Sequence, residues 1–104
     1  MSIQINILHL LVNLQKLLEK QIEMARKGNL NSVEVLTEQA DTVIEKIVRI
    51  KGFEQPEFDD RRRHLVKLYK KLELILSAGN ASVEKQLQQI NNVRKTLKAY
   101  RKNS

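Results

Sequence analysis

Apolar side chains recur at intervals of three and four along nearly the whole chain, and little interrupts them: 104 residues hold three Gly and one Pro. That period marks one face of an α-helix and does not fit the two-residue alternation of a half-buried strand. Aromatic residues make up only 4% of the sequence, too few for the aromatic-rich strands of a sheet protein. The expected fold is therefore all-α: antiparallel helical hairpins forming an up-down four-helix bundle or an elongated helical bundle, in a single domain spanning 1–104.

Four segments carry the pattern. The first helix, expected over about 2–27, has its stripe at Ile3, Ile7, Leu10, Leu14, Leu17 and Leu18, continuing through Gln21 to Met24 and Ala25. Gly28 closes it by adopting the left-handed conformation, with Arg26 and Lys27 well placed against the dipole. Asn29 or Asn31 then caps a second helix over about 30–51, and Glu34 three residues after Asn31 resembles a capping box. Its stripe runs Val33, Leu36, Ala40, Val43, Ile47 and Ile50, with Ile44 beside it, and breaks at Gly52. Residues 52–56 read as the one true loop, with Pro56 opening a third helix over about 56–78 through Phe58, Leu65, Leu68, Tyr69, Leu72 and Leu76. Gly79-Asn80 repeats the Gly28-Asn29 punctuation, so the chain reads as two similar hairpins in series. The fourth helix, about 81–101, uses Val83, Leu87, Ile90 and Leu97, but Arg94 and Arg101 share that face, so its burial is expected to fade toward the C-terminus. Helices this long make a slender bundle with a thin core, which a partner helix or a second copy would complete.

Charge divides the chain. Of 19 basic and 12 acidic residues, residues 1–56 hold seven of each, so the excess of +7 lies entirely in the second half. A basic half suits nucleic acid, an anionic surface or an acidic protein, and charge alone does not select among them. Candidates for such a surface are Arg63, Lys67, Lys70 and Lys71 on the third helix, joined by Lys95, Lys98 and Lys102 on the fourth. Tyr69 and Tyr100 are the only aromatics near them and no recognised nucleic-acid module fits, so nucleic acid ranks behind a protein partner. The absence of Cys excludes disulfides and thiolate chemistry. No charged leader and no membrane span are read, and a cytoplasmic location is expected.

No catalytic, cofactor or metal site is legible. His9 and His64 belong to no ligand spacing, and Glu34, Glu38, Asp41 and Glu45 have helical spacing without the Glu-x-x-His pattern of a di-metal bundle. Nucleophile–base pairs and phosphate-cradling Gly loops are missing too, so no enzymatic activity is expected. The candidate partner-binding residues are apolar. Ile5, Leu8 and Val12 share an arc of the first helix opposite its main stripe, and such an arc is either a second buried face or a docking face for another chain. The face of the fourth helix at Val83, Leu87, Ile90 and Leu97 is the other candidate groove.

Leu14-Gln15-Lys16-Leu17-Leu18-Glu19-Lys20-Gln21, then Ala25-Arg26-Lys27-Gly28-Asn29-Leu30 and Val33-Glu34-Val35-Leu36, resemble the FlgN/FliT type of flagellar export chaperone over residues 10–51, with weaker agreement in 62–80. The resemblance implies a bacterial cytoplasmic protein of antiparallel helices that holds a type III export subunit before secretion. It would do so by taking an amphipathic client helix into an apolar groove, without turnover. Two other classes stay open: a basic helical protein that binds nucleic acid or another polyanion, and a structural subunit of an obligate helical oligomer.

Overall fold

A computed structural model describes residues 3–79 and 84–100. The described residues form four helices and no strand: α1 Ile3–Arg26, α2 Leu30–Arg49, α3 Asp59–Ala78 and α4 Glu84–Ala99, with two short 3₁₀ turns, Gly52–Glu54 and Pro56–Phe58, before α3. The protein is all-α, and its helices pack side by side into a body of 42 × 27 × 18 Å. None is long and apolar enough to cross a membrane, among the described residues.

The α1–α2 turn is a Schellman motif built on Gly28. Its φ is +73°, the Asn29 amide donates to the Met24 carbonyl at 2.9 Å, and the Gly28 amide donates to the Ala25 carbonyl at 3.0 Å. Asn29 then serves the next helix as well, its side chain accepting from the Ser32 amide at 3.2 Å. Three residues thus end one helix and begin another, which forces α2 back along α1.

Gly79 does not repeat this device. Its backbone is extended, with φ −87° and ψ −169°, so α3 ends without a left-handed closure. Asn80 and Val83 lie outside the described residues. After α2 the left-handed position is Lys51, at φ 55°, one residue earlier than the expected break. Gly52 has another function: a Cβ there would sit 2.8 Å from Ile47 Cγ2 and 3.1 Å from Ile7 Cγ2, so its lack of a side chain lets the turn press onto the core. Pro56 opens a 3₁₀ turn instead of α3, which starts three residues later with Asp59 and Asp60 at its positive end.

The core runs through all four helices and includes Ile7, Leu11, Leu14, Leu18, Val33, Ile47, Phe53, Leu65, Tyr69, Leu72, Ile90 and Leu97. Burying a side chain of this size contributes about 1.5–3 kcal/mol. On α1 the stripe is Ile7, Leu11, Leu14, Leu18, Gln21 and Ile22, whereas Leu10 and Leu17 are half-buried at its edge and Ile3 is exposed. The expected fading of α4 does not occur over the described residues. Leu97 is buried, Arg94 bonds sideways to Glu73 instead of facing the core, and the Tyr100 ring packs 5.7 Å from Phe53.

Candidate interaction surfaces

The first candidate surface is the apolar arc of α1. Ile5 is 44% exposed, while Leu8 and Val12 are half-buried and share a shallow groove with His9, Asn13, Lys16 and Arg61. The arc therefore stays at the surface beside the start of α3, and its lower wall is cationic. Helical spacing brings Leu8 and Val12 together, and the packing of α3 on α1 adds Arg61.

The second candidate groove is not open. Ile90 and Leu97 are each 1% exposed and Leu87 packs against them from the edge, so this face of α4 closes the core on α3. Hydrogen bonds hold it there: Asn91 Nδ2 donates to Glu73 Oε1 at 2.6 Å, and the Arg94 guanidinium donates to the other Glu73 carboxylate oxygen. The spacing of Arg94 placed it on the apolar face, but an ion pair with a neighbouring helix lets a cation sit at the rim of a core. Val83 lies outside the described residues.

The basic residues partly converge. Arg63, Lys67, Lys70 and Lys71 are exposed on α3 and Lys95 and Lys98 on α4, while Lys102 lies outside the described residues. Between the two helices Arg62, Arg63, Lys67 and Lys98 surround a cleft whose apolar wall is Val66 and Leu97. Arg62 belongs to the same basic run but is not part of an exposed face. It is 3% exposed, and its Nη1 donates to Asp59 Oδ1 at 2.7 Å and to the Phe53 carbonyl at 3.2 Å, tying the 3₁₀ turns to α3. Its Nη2 is buried with no hydrogen-bond partner. The signal was present: Phe58, Arg62, Leu65, Tyr69, Leu72 and Leu76 follow alternating steps of four and three, which puts Arg62 on the buried face.

The carboxylates of α2 form a surface of the opposite sign. Glu34, Glu38, Asp41 and Glu45 stand at steps of four, three and four, within a narrow arc. None makes an ion pair with a described residue. Like charges at this spacing destabilise an isolated helix by about 0.2–0.5 kcal/mol per pair. Burial first, then Glu45 and Glu38, push the Asp41 carboxyl above the ordinary aspartate range. Asp41 Oδ2 accepts from Gln89 Nε2 at 2.9 Å, which joins α2 to α4.

Beneath that bond lies a seam to which each helix contributes a polar group: Gln21, Thr37, Asp41, Tyr69 and Gln89 line it with Ala40, Ile90 and Val93. Gln21 Nε2 donates to Thr37 Oγ1 at 2.8 Å, and Thr37 Oγ1 donates to the Val33 carbonyl at 2.8 Å. Burial, followed by the charge on Asp41, raises the Tyr69 phenol well above its ordinary value, so it stays protonated. His9 and His64 are both exposed, and no group of three metal-ligating side chains gathers among the described residues.

Fold and surfaces together define a helical protein with charged outer faces and a partly apolar groove. No protein-family model, curated protein or solved structure matches the chain.

Proposed function

We propose that this chain is a non-enzymatic binding protein that takes an amphipathic helix of a partner protein against the N-terminal half of α1. The observation that carries the reading is the groove at Leu8 and Val12, with Lys16 and Arg61 among its lining residues and exposed Ile5 about one helical turn before Leu8. An apolar floor with cationic edges fits a helix that has an apolar stripe flanked by carboxylates. An up-down arrangement accompanies this reading. It is supported by contacts of Gln21 with Thr37, of Glu73 with Asn91, and of Asp41 with Gln89, together with the α1–α3 grooves at Arg61 and at Gly28.

The finer reading is a cytoplasmic chaperone for flagellar or type III export subunits. It rests on the resemblance of residues 10–51 and on the Gly28-Asn29 turn within them. The test is Leu8→Asp, compared with the unaltered chain for thermal stability and for binding to peptides spanning the terminal helices of late flagellar subunits. Retained stability with lost binding supports the reading. Loss of the fold would assign Leu8 to the core and reject the groove; no binding by either chain would reject the export role.

A further inference from the structure

The cleft between α3 and α4 is a second surface, independent of the α1 groove. Arg63, Lys67 and Lys98 ring it, Val66 and Leu97 give it an apolar wall, and buried Arg62 contributes a guanidinium whose Nη2 has no partner. Arg63 makes one exposed contact with Asp60 at 3.6 Å, and neither Lys67 nor Lys98 makes an ion pair with a described residue. Such a surface calls for a partner with carboxylates in a row and a little apolar area beside them.

That partner is available in the chain itself. Arg63, Lys67, Lys70 and Leu74 stand on the outer face of α3 at steps of four, three and four. Glu34, Glu38, Asp41 and Glu45 stand on α2 at the same steps. At about 1.5 Å per residue both rows are about 16 Å long. Each also carries apolar surface, Leu74 at the end of the basic row and Val35 and Val48 beside the acidic one, all exposed. Within one molecule the two rows make no ion pair: Glu34, Glu38 and Glu45 are exposed on α2 and Arg63, Lys67 and Lys70 on α3, while Asp41 is half-buried at the edge of the seam, bonded to Gln89.

We propose that copies of this chain associate through unlike faces, with the acidic row of α2 in one copy seated on the basic row of α3 and the adjoining α3–α4 cleft of another. The contact neutralises carboxylates and ammonium groups that have no counter-charge within the fold. Because it joins two different patches, one copy of a pair keeps its basic face available and the other its acidic face, so further neighbours can add. The contact is largely electrostatic at its rim, so it weakens as added salt shortens the screening length.

The experiment is light scattering on the full chain over a concentration series, at about 20 mM and about 500 mM salt, where the screening length falls severalfold. The unaltered chain is expected to gain mass with concentration at low salt and to return to one chain at high salt. Lys67→Glu with Lys98→Glu removes the net charge of the cleft and leaves the acidic row intact, and Glu38→Lys with Glu45→Lys removes the net charge of the acidic row and leaves the cleft intact. Each double variant is expected to self-associate at least about tenfold more weakly, and an equimolar mixture of the two is expected to recover association. Circular dichroism of each variant checks the fold, and the neutral set Lys67→Gln, Lys98→Gln, Glu38→Gln and Glu45→Gln replaces any that unfolds, with weakened association again expected. An unaltered chain that stays single at low salt overturns the proposal, as do variants that associate like it or a mixture that stays dissociated. None of these outcomes bears on the Leu8 groove.

Discussion

Replacing Gln21 with Leu is expected to stabilise the fold, against the usual direction of core substitutions. Gln21 is 1% exposed, and its Nε2 makes one bond, to Thr37 Oγ1, while its Oε1 is buried without a partner. An amide oxygen stranded in this way costs about 1–3 kcal/mol, and the bond given up is worth about 0.5–1.5 kcal/mol. Leu fills nearly the same space, and the Thr37 hydroxyl keeps its acceptor in the Val33 carbonyl. The difference favours Leu by about 1 kcal/mol, equivalent to a rise of about 4–8 °C in Tm for a domain of this size. Urea unfolding followed by far-UV circular dichroism reads it directly. Gln21→Glu, nearly isosteric, is the control: it puts a carboxyl group in the same buried place and is expected to destabilise by several kcal/mol. If Gln21→Leu instead lost about 1 kcal/mol or more, the reasoning would fail, because Oε1 would then have a partner such as an enclosed water.

The two structural glycines separate strain from packing. Gly28→Ala meets no atom within 4 Å and should cost about 1–2 kcal/mol through its positive φ alone, whereas Gly52→Ala should cost about 1–3 kcal/mol by driving Ile47 and Ile7 apart, both measured by denaturant melts. Asp41 has a folded-state pKa above its unfolded one, so its ionised form opposes folding at neutral pH and that opposition disappears as pH falls below the ordinary aspartate value. Asp41→Asn should accordingly raise Tm at about pH 7 and lose its advantage near pH 3, below the reference aspartate pKa; an equal gain at both values would assign the effect to something other than charge. Nucleic acid should bind weakly at low salt and detach by about 150 mM, with Lys67→Glu and Lys70→Glu flattening the salt dependence. Tight or sequence-selective binding at that salt would put the polyanion reading first.

Helix existence was legible because each stripe is long and few residues break it. The exact face was less so on α1, where Leu10 and Leu11, and Leu17 and Leu18, stand side by side: periodicity alone accepts either member of each pair, and only packing against α3 and α2 selects Leu11 and Leu18. Gly28 could be read from sequence since a left-handed closure is a local requirement. Gly52 could not, since what demands it is packing, the close approach of Ile47 and of the distant Ile7, and no local conformation. The basic residues were legible as charges, but their gathering around Val66 and Leu97 depends on how α4 docks. The α4 face was misjudged for a related reason: Arg94 has a partner, Glu73, that only the tertiary structure supplies.

The chain has two tyrosines and no tryptophan, and the fold places the two in different surroundings. Tyr69 lies in the seam shared by all four helices, while Tyr100 leans on Phe53 where the end of α4 meets the 3₁₀ turns. The molecule thus holds two native optical reporters, one for the joining of the four helices and one for the seating of the last turn of α4. With Tyr69→Phe or Tyr100→Phe leaving a single emitter, fluorescence can follow each event separately, and loss of the Tyr100 signal ahead of that from Tyr69 would identify the end of α4 as a part that opens on its own before the whole fold does.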